Sequence, residues 1–526
     1  MQKVIPILLI EIYYQVRYIN MENKTKDNTS SKQTEILTKK SIIKLISCAG
    51  LSLFWVVFIW NFWDKGIYAL GLNAFFFLLL FTGLFIWILH KKGRLFKNDL
   101  IWIIPLSLII LSFLIYDNPF LKVVSMLVFP VSFTIFYNYA FLDDKKTRHW
   151  DFYFFSKTLA RIFSFLSKIG ESITSYIELM IPAGKTKRKV IVKIISGIIL
   201  FLIIALTVFI PLLSSADTVF ADKMQVIYDW IKEVFSIPVV YKIIIFIIFS
   251  VLISSMLFAW GKRFDYEEKE ESKKKIDSIV SGIVLGGVLI LYLLFLWVQI
   301  ERLWVGTLPF DFKETENLVK SGFWQLFFLS IINIVIYFFT YRKTNPIVQW
   351  VLTGFTATSL LLLSSAGYRM GLYTTYYGFS YEKFFASYTV LYCAILFIWL
   401  ISRLFIKKRS NIVKFLVLLF LWMYAVITVL PVEQFILRAN INLAKLEQSR
   451  IRLFELTMLS PDVLLLVKKN KSQGLLKENN NYLAREDSEK TEEQFDWDPW
   501  IERQEKKVMD KKWYERNIIN SIYLIK

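Results

Sequence analysis

The side chains that carry most enzymatic chemistry are scarce in this sequence. Two histidines occur, His90 and His149, and two cysteines, Cys48 and Cys393. That excludes an HExxH metalloprotease and weighs against a Ser-His-Asp triad. The cysteines sit far apart in apolar runs, so they supply neither a disulfide framework nor a CxxC zinc site. No GxxxxGKS or GxxxxGKT loop is present, so the chain itself is not a P-loop ATPase. The residues give no reason to expect a cofactor or a bound metal.

What remains is a set of charged and aromatic residues at the ends of long apolar runs. Asp217 follows Ser214-Ser215-Ala216. A carboxylate there caps a following helix or faces outward to bind a cation or a polar headgroup. Glu301 and Arg302 follow another run and read as a boundary ion pair. Asp311 lies in the loop beyond, and Thr315 with the acids after it marks a helix start. Ser364-Ser365-Ala366-Gly367-Tyr368-Arg369 ends a third run, followed by Tyr373, Tyr376 and Tyr377. Arg369 at that depth needs a partner. The tyrosines match an interfacial aromatic belt, or with Arg369 they form a pocket for a sugar or a phosphorylated lipid headgroup.

The elements that position these residues follow from composition. The chain is 56% hydrophobic and 17% aromatic, with a mean hydropathy of +0.48. A soluble domain is ~45–50% apolar. A spanning helix needs ~20 mainly apolar residues. Eleven such runs occur: 42–63, 67–89, 99–116, 119–139, 190–212, 239–260, 277–300, 322–341, 346–366, 384–405 and 412–431. Only the turn Tyr116-Asp117-Asn118-Pro119 separates the third from the fourth, and Lys122 is expected to snorkel to the nearby surface. The predicted fold is therefore all-α and polytopic, with about 11 transmembrane helices.

The net charge of +20 falls in short segments between the runs, which is the positive-inside pattern and not a nucleic-acid footprint. With the amino terminus inside, the inner segments hold 32 Lys+Arg and the outer loops 64–66, 117–118, 213–238, 301–321 and 367–383 hold 8. The carboxyl-terminal region 432–526 then lies outside. The middle thirds of the runs hold no Asp or Glu, which lowers the expectation of proton- or cation-coupled transport. Asn333 in mid-span reads as an interhelical hydrogen-bonding group, and Gly282 with Gly286 as a close-packing pair.

The domain organisation has five parts. Residues 1–41 form a polar cytoplasmic segment, in which Met21 is the expected natural start and 1–20 translated upstream sequence. Residues 42–140 form a four-helix membrane segment. Residues 141–189 form a basic linker, whose apolar positions over 152–180 recur at helical spacing. That helix lies on anionic inner-leaflet lipids or packs on the other helices. Residues 190–431 form a seven-helix domain, with a surface helix over 218–236. Residues 432–526 form a small helical tail with a turn at Ser460-Pro461-Asp462 and a flexible linker at 470–495.

Four stretches in order, LLSSAD, VQIERLW with LPFDF and VKSGFWQL, SSAGYRMGLYTTYYGFS, and ANINLAK with LSPDVLLL, resemble a bacterial integral-membrane family. It is a domain of unknown function, the 4173 group, related to the 4153 group. The similarity covers roughly 190–515. It departs at Leu318-Val319-Lys320 and at Gly367. The resemblance implies a protein of the bacterial cytoplasmic membrane and assigns no catalytic residue.

Three functions fit the residues. The first is sensing, scaffolding or partner binding in the cell envelope through the outer loops and the tail, with an envelope protein bound through 432–526. The second is a transporter or flippase of an amphipathic envelope lipid, with Asn73 and Asn333 lining a cavity. The third is a membrane-embedded transferase acting on a lipid-linked substrate, which needs Asp217, Asp222 and Asp311 to converge. The partners expected are the lipid bilayer and its anionic inner-leaflet lipids.

Overall fold

The structure, a computed structural model, describes residues 42–95, 97–141, 150, 152–180, parts of 190–203, 204–236, 238–261, 277–298, 312–341, 343–405, 411–446, 451, 456, 458–474 and 497–525. Every regular element among them is a helix. The expectations for 1–41 lie outside the described residues, as do part of the expected span 190–212 and residues 475–495 of the expected linker.

The principal helices are α1 (Ile42–Ile59), α2 (Leu72–Lys91), α3 (Leu100–Ile115), α4 (Pro119–Phe141), α5 (Phe152–Ile162), α6 (Ile169–Met180), α7 (Thr218–Ser236) and α8 (Pro238–Trp260). They continue with α9 (Ser278–Val298), α10 (Phe312–Thr340), α11 (Pro346–Tyr377), α12 (Tyr381–Phe405) and α13 (Ile412–Val429). The tail adds α14 (Val432–Leu443), α15 (Leu464–Ser472), α16 (Asp498–Met509) and α17 (Ile518–Ile525). Nine helices among the described residues are long and apolar enough to cross a membrane. α3 is apolar but has 16 residues, roughly 24 Å at ~1.5 Å per residue, short of a ~30 Å hydrocarbon core. The medium is legible in α9. Its apolar window has a mean hydropathy of 2.7 but is only 11% buried, an arrangement that suits a lipid surrounding.

The described residues fall into two compact units, one within Met1–Trp60, Leu80–Ile88 and Ala160–Arg263, the other within Asn61–Leu79, Leu89–Leu159 and Phe264–Lys526. In the first, the segment through α6 packs on α8. The Arg161 guanidinium donates to the Trp260 carbonyl at 2.7 Å, and the Trp260 indole donates to the Arg161 carbonyl at 3.1 Å. Ser172 and Ser254 share a hydrogen bond between their hydroxyls. The amphipathic segment is thus anchored on other helices, while Leu159, Phe163 and Leu166 stay exposed.

The second unit holds the larger core, around Leu352, Phe355, Leu396, Phe397 and Leu400. Asn333 accepts from the Tyr292 hydroxyl at 2.7 Å and donates to Ser359 Oγ at 2.9 Å, so one amide joins α9, α10 and α11. α10 begins at Phe312, ahead of the expected start at Thr315. α11 also exceeds its expected length, continuing past residue 366 to Tyr377. Gly367 does not break it, because a Cβ there would lie 3.0 Å from Val390 Cγ1 and the glycine lets α12 approach. The helix stops at Gly378, whose φ of +72° favours glycine.

The tail is part of this second unit. Gly71, just before α2, lies under the tail backbone: a Cβ there would be 2.3 Å from the Glu515 carbonyl oxygen and 2.7 Å from that of Arg516. The Leu72 amide donates to the Arg516 carbonyl at 3.1 Å. Substituting Gly71→Val is expected to displace residues 513–517 at a cost on the order of 2 kcal/mol. Limited proteolysis of the full chain in detergent would show faster loss of the tail with the membrane helices intact.

Candidate functional site: a buried ionic network beneath the tail

Asp117 lies in the turn between α3 and α4, which carry the chain to one end of the bundle and back. Asn118 opens α4 by accepting the Leu121 amide at 2.9 Å. The turn leaves the Asp117 carboxylate 1% exposed between two ammonium groups. Oδ1 is 2.6 Å from Lys122 Nζ, and Oδ2 pairs with Lys511 Nζ. Lys122 also donates to the Leu70 carbonyl, and Asn520 Nδ2 donates to Asp117 Oδ2 at 3.3 Å. One carboxylate therefore joins the α3–α4 turn, the segment before α2, the strap after α16, and α17.

Lys122 corrects the sequence expectation. It does not snorkel; it is buried to 3%, because Asp117 five residues earlier supplies the counter-ion. An apolar run holding a lysine just after an acidic turn was the available signal. Lys511 and Asp117 are 394 residues apart, and no local spacing indicates their pairing.

Two further carboxyl groups are buried beside this pair. Ser460 caps the turn before α15 by accepting the Asp462 amide at 3.2 Å. That aims Asp462 at the Asp117 backbone, whose N–H donates to Asp462 Oδ2 at 2.6 Å, while Asn517 donates to Oδ1 at 3.4 Å. Glu433, in the first turn of α14, accepts from the Ser460 amide at 3.2 Å and from the Ser460 hydroxyl. Its other oxygen accepts from the Tyr381 hydroxyl at the start of α12. A water-sized cavity lies against Asn118, Glu433 and Asp462.

The electrostatics separate the three acids. Burial alone would raise the Asp117 carboxyl, but Lys122 and Lys511 overcome it and hold it below the usual carboxylate range. Burial and the nearby Asp117 charge push Asp462 up to about 7. Burial, then the Asp462 charge, pushes Glu433 well above its ordinary value. Burial lowers the Lys511 ammonium, and Asp117 pulls against that. The cluster thus holds an ion triad beside carboxyl groups that favour their protons.

Around this centre the tail grips the same end of the bundle at other points. Glu515 accepts from Asn61 Nδ2 and, at 3.2 Å, from Lys65 Nζ. Asn440 accepts the Phe379 amide at 2.6 Å and donates to the Phe379 carbonyl at 2.8 Å. The segments 61–71, 117–118 and 378–381 are thereby gathered on one face. The lysine and arginine bias had assigned 64–66, 117–118 and 367–383 to a common side.

The residues singled out in the sequence lie elsewhere. Asp217 is exposed in the first unit, where it ends the helix Ile210–Ala216 and its carbonyl accepts the Ala221 amide of α7 at 3.1 Å. Asp222 is exposed on α7. Glu301, Arg302 and Asp311 lie outside the described residues. Arg369, Tyr373, Tyr376 and Tyr377 all lie on α11 and not in a loop. Tyr373 and Tyr377 are buried with Met370, and Tyr376 packs against them. Asn73 caps α2, accepting the Gly71 and Ala74 amides at 2.8 Å each and donating to the Ala69 carbonyl at 2.9 Å.

Two outcomes follow from this network. Asp117→Asn leaves two buried ammonium groups without their carboxylate and is expected to weaken tail docking by about 3–5 kcal/mol, read as protease sensitivity of the tail. The pH dependence has a definite sign. Asp462 moves from an ordinary 3.8 to about 7 on docking, so the docked state binds more protons between those values, and its stability falls as pH rises from about 4 to about 7. Asp117 is shifted the other way, so its contribution is lost only as pH falls below 3.8. Protease protection should therefore peak in mildly acidic buffer, and Asp462→Asn should flatten the decline toward pH 7.

A family model for a domain of unknown function, DUF4153, matches residues 103–469. That range begins earlier and ends earlier than the expected 190–515. It holds Asp117, Lys122, Tyr381, Glu433 and Asp462 of the network, while Lys511 lies beyond it. No curated protein and no solved structure matches the chain. The match covers well over half of the sequence, and this multi-pass membrane protein belongs to the DUF4153 family.

Proposed function

We propose that the protein serves the bacterial cell envelope by sensing, scaffolding or partner binding through its docked tail and outer loops. The observation that carries this reading is the buried network around Asp117. A tail held by a desolvated carboxylate with two ammonium groups has a single register on the bundle. Buried ion pairs add little net stability but are severely disrupted when one member is lost. This suits a surface that must be presented in a fixed geometry.

The surface presented is apolar in places. On the tail, Trp513 is 66% exposed, and Met509, Ile518, Ile522 and Ile525 are exposed as well. Exposed apolar groups beside charge favour a protein partner. The charge bias of the loops supports an extracytoplasmic position for this face and a location in the cytoplasmic membrane. The flippase reading gains less, since Asn73 and Asn333 are engaged in capping and in interhelical bonds. The transferase reading gains less too, since Asp217 and Asp222 are exposed on one unit and not gathered in a cleft.

The test is photocrosslinking in cells from a reactive residue placed at Trp513 or Met509. A discrete adduct that disappears when Asp117→Asn releases the tail is the expected result. No adduct at either position, or one indifferent to release of the tail, contradicts the proposal.

A further inference from the structure

The first unit places a polar helix at a depth that belongs to hydrocarbon. α8 carries the apolar stretch Val239–Trp260. Lys262 and Arg263 follow it in the sequence, so the charge bias makes Trp260 its inner end. The segment through α6 runs along α8 from that end. Arg161 and Trp260 bond each other reciprocally. Ser172 bonds the Ser254 hydroxyl and, at 3.2 Å, the Val251 carbonyl. The Tyr176 hydroxyl lies 3.4 Å from the Ser250 carbonyl oxygen and 3.2 Å from that of Leu45 in α1.

These contacts set the depth. At ~1.5 Å per residue, Ser254 stands roughly 9 Å and Ser250 roughly 15 Å from Trp260, and Leu45 roughly 5 Å from the start of α1. The hydrocarbon core is ~30 Å thick, so α6 lies within its inner half. With 12 residues, roughly 18 Å, α6 is too short to cross. Lys185, Lys187, Arg188 and Lys189 follow it in the sequence, and the same charge bias assigns them to the inner side. A segment that enters and leaves by one side is re-entrant.

The composition of α6 does not suit lipid. Glu171, Thr174 and Glu178 recur at spacings of three and four, which puts them on one face. Ser172 and Tyr176, on another face, meet α8. Glu171 pairs with Lys168 while its side chain stays 51% exposed, and Glu178 is exposed as well. Charged side chains and re-entrant backbone at this depth face either protein or a water-filled cavity. Both glutamates are exposed, which favours water. Ser250 Oγ, next to the Tyr176 contact, is buried and has no hydrogen-bond partner among the described residues. Water reaching this depth supplies one.

We propose that α6 lines a water-filled vestibule that opens to the inner side of the membrane, with Glu171, Thr174 and Glu178 on its wall. Its occupant is water, carried from the inner solvent into the inner half of the bilayer beside α8. The inference is independent of the docked tail and of the function proposed for it.

The test is thiol accessibility in the full chain, with Cys48→Ala and Cys393→Ala removing the native cysteines. Glu171→Cys, Thr174→Cys and Glu178→Cys would each be compared with Ile247→Cys, a position on α8 that is 54% exposed and reads lipid. The probe is a charged, membrane-impermeant thiosulfonate, applied to sealed inside-out and right-side-out vesicles and read by mass spectrometry. Positions on α6 should react from the inner side only, at least about tenfold faster than position 247, because a thiol in hydrocarbon ionises less and each pKa unit is tenfold in thiolate. Thr174→Cys is nearly isosteric and leaves the Lys168–Glu171 pair intact, so it reads an undisturbed wall. Inner-side reaction at position 174 and at either glutamate position supports the vestibule. Any other pattern, including reaction no faster than at position 247 or reaction from the outer side, overturns it.

Discussion

One buried carboxylate shared by two ammonium groups fixes the arrangement of this protein's second unit. Asp117 is held in place by the α3–α4 turn, and it binds one lysine from its own helix pair and one from the far end of the chain. Both lysines are buried, and their charges hold the Asp117 carboxyl below the usual carboxylate range. Asp462 and Glu433 are buried beside it. Burial makes both favour their protons, helped by the Asp117 charge at Asp462 and by the Asp462 charge at Glu433, and each is engaged by a specific backbone or hydroxyl group. Removing the network would leave the Gly71 approach and the Asn440–Phe379 amide pair as local contacts without a common centre.

The bundle supplies the platform by different physics. Its core is packed aliphatic and aromatic side chains, and its polar content is confined to groups that satisfy one another, as Asn333 does with Tyr292 and Ser359. α11 joins the two regions. Its central turns belong to the core, and its last turns carry Tyr373 and Tyr377, buried with Met370.

Much of this fold was legible in the sequence and much of the site was not. Apolar runs of ~20 residues identify spanning helices because lipid imposes that length, and nine of the runs recur as helices of that kind among the described residues. Asn333 was readable because a lone amide in hydrocarbon needs a partner. The end of α11 was misplaced because Gly367 and the tyrosines resemble loop composition, whereas close packing against Val390 keeps them helical. The network was hidden for a different reason. Asp117 resembles a turn residue, Asp462 a helix cap and Glu433 a first-turn acid, and each has that local role. Their burial comes from contacts across hundreds of residues, between a turn at 117 and a tail at 433–520, which no periodicity records.

The most direct test is a double-mutant cycle on the central pair. Hydrogen exchange over 497–525 would be measured for the wild-type chain, Asp117→Asn, Lys511→Met and the two combined, all full-length in nanodiscs. If Asp117 and Lys511 hold the tail together, the double variant costs less than the sum of the single ones, with a coupling of about 1.5–3 kcal/mol. Costs that simply add would contradict this account, since the tail would then be held by contacts indifferent to that ion pair.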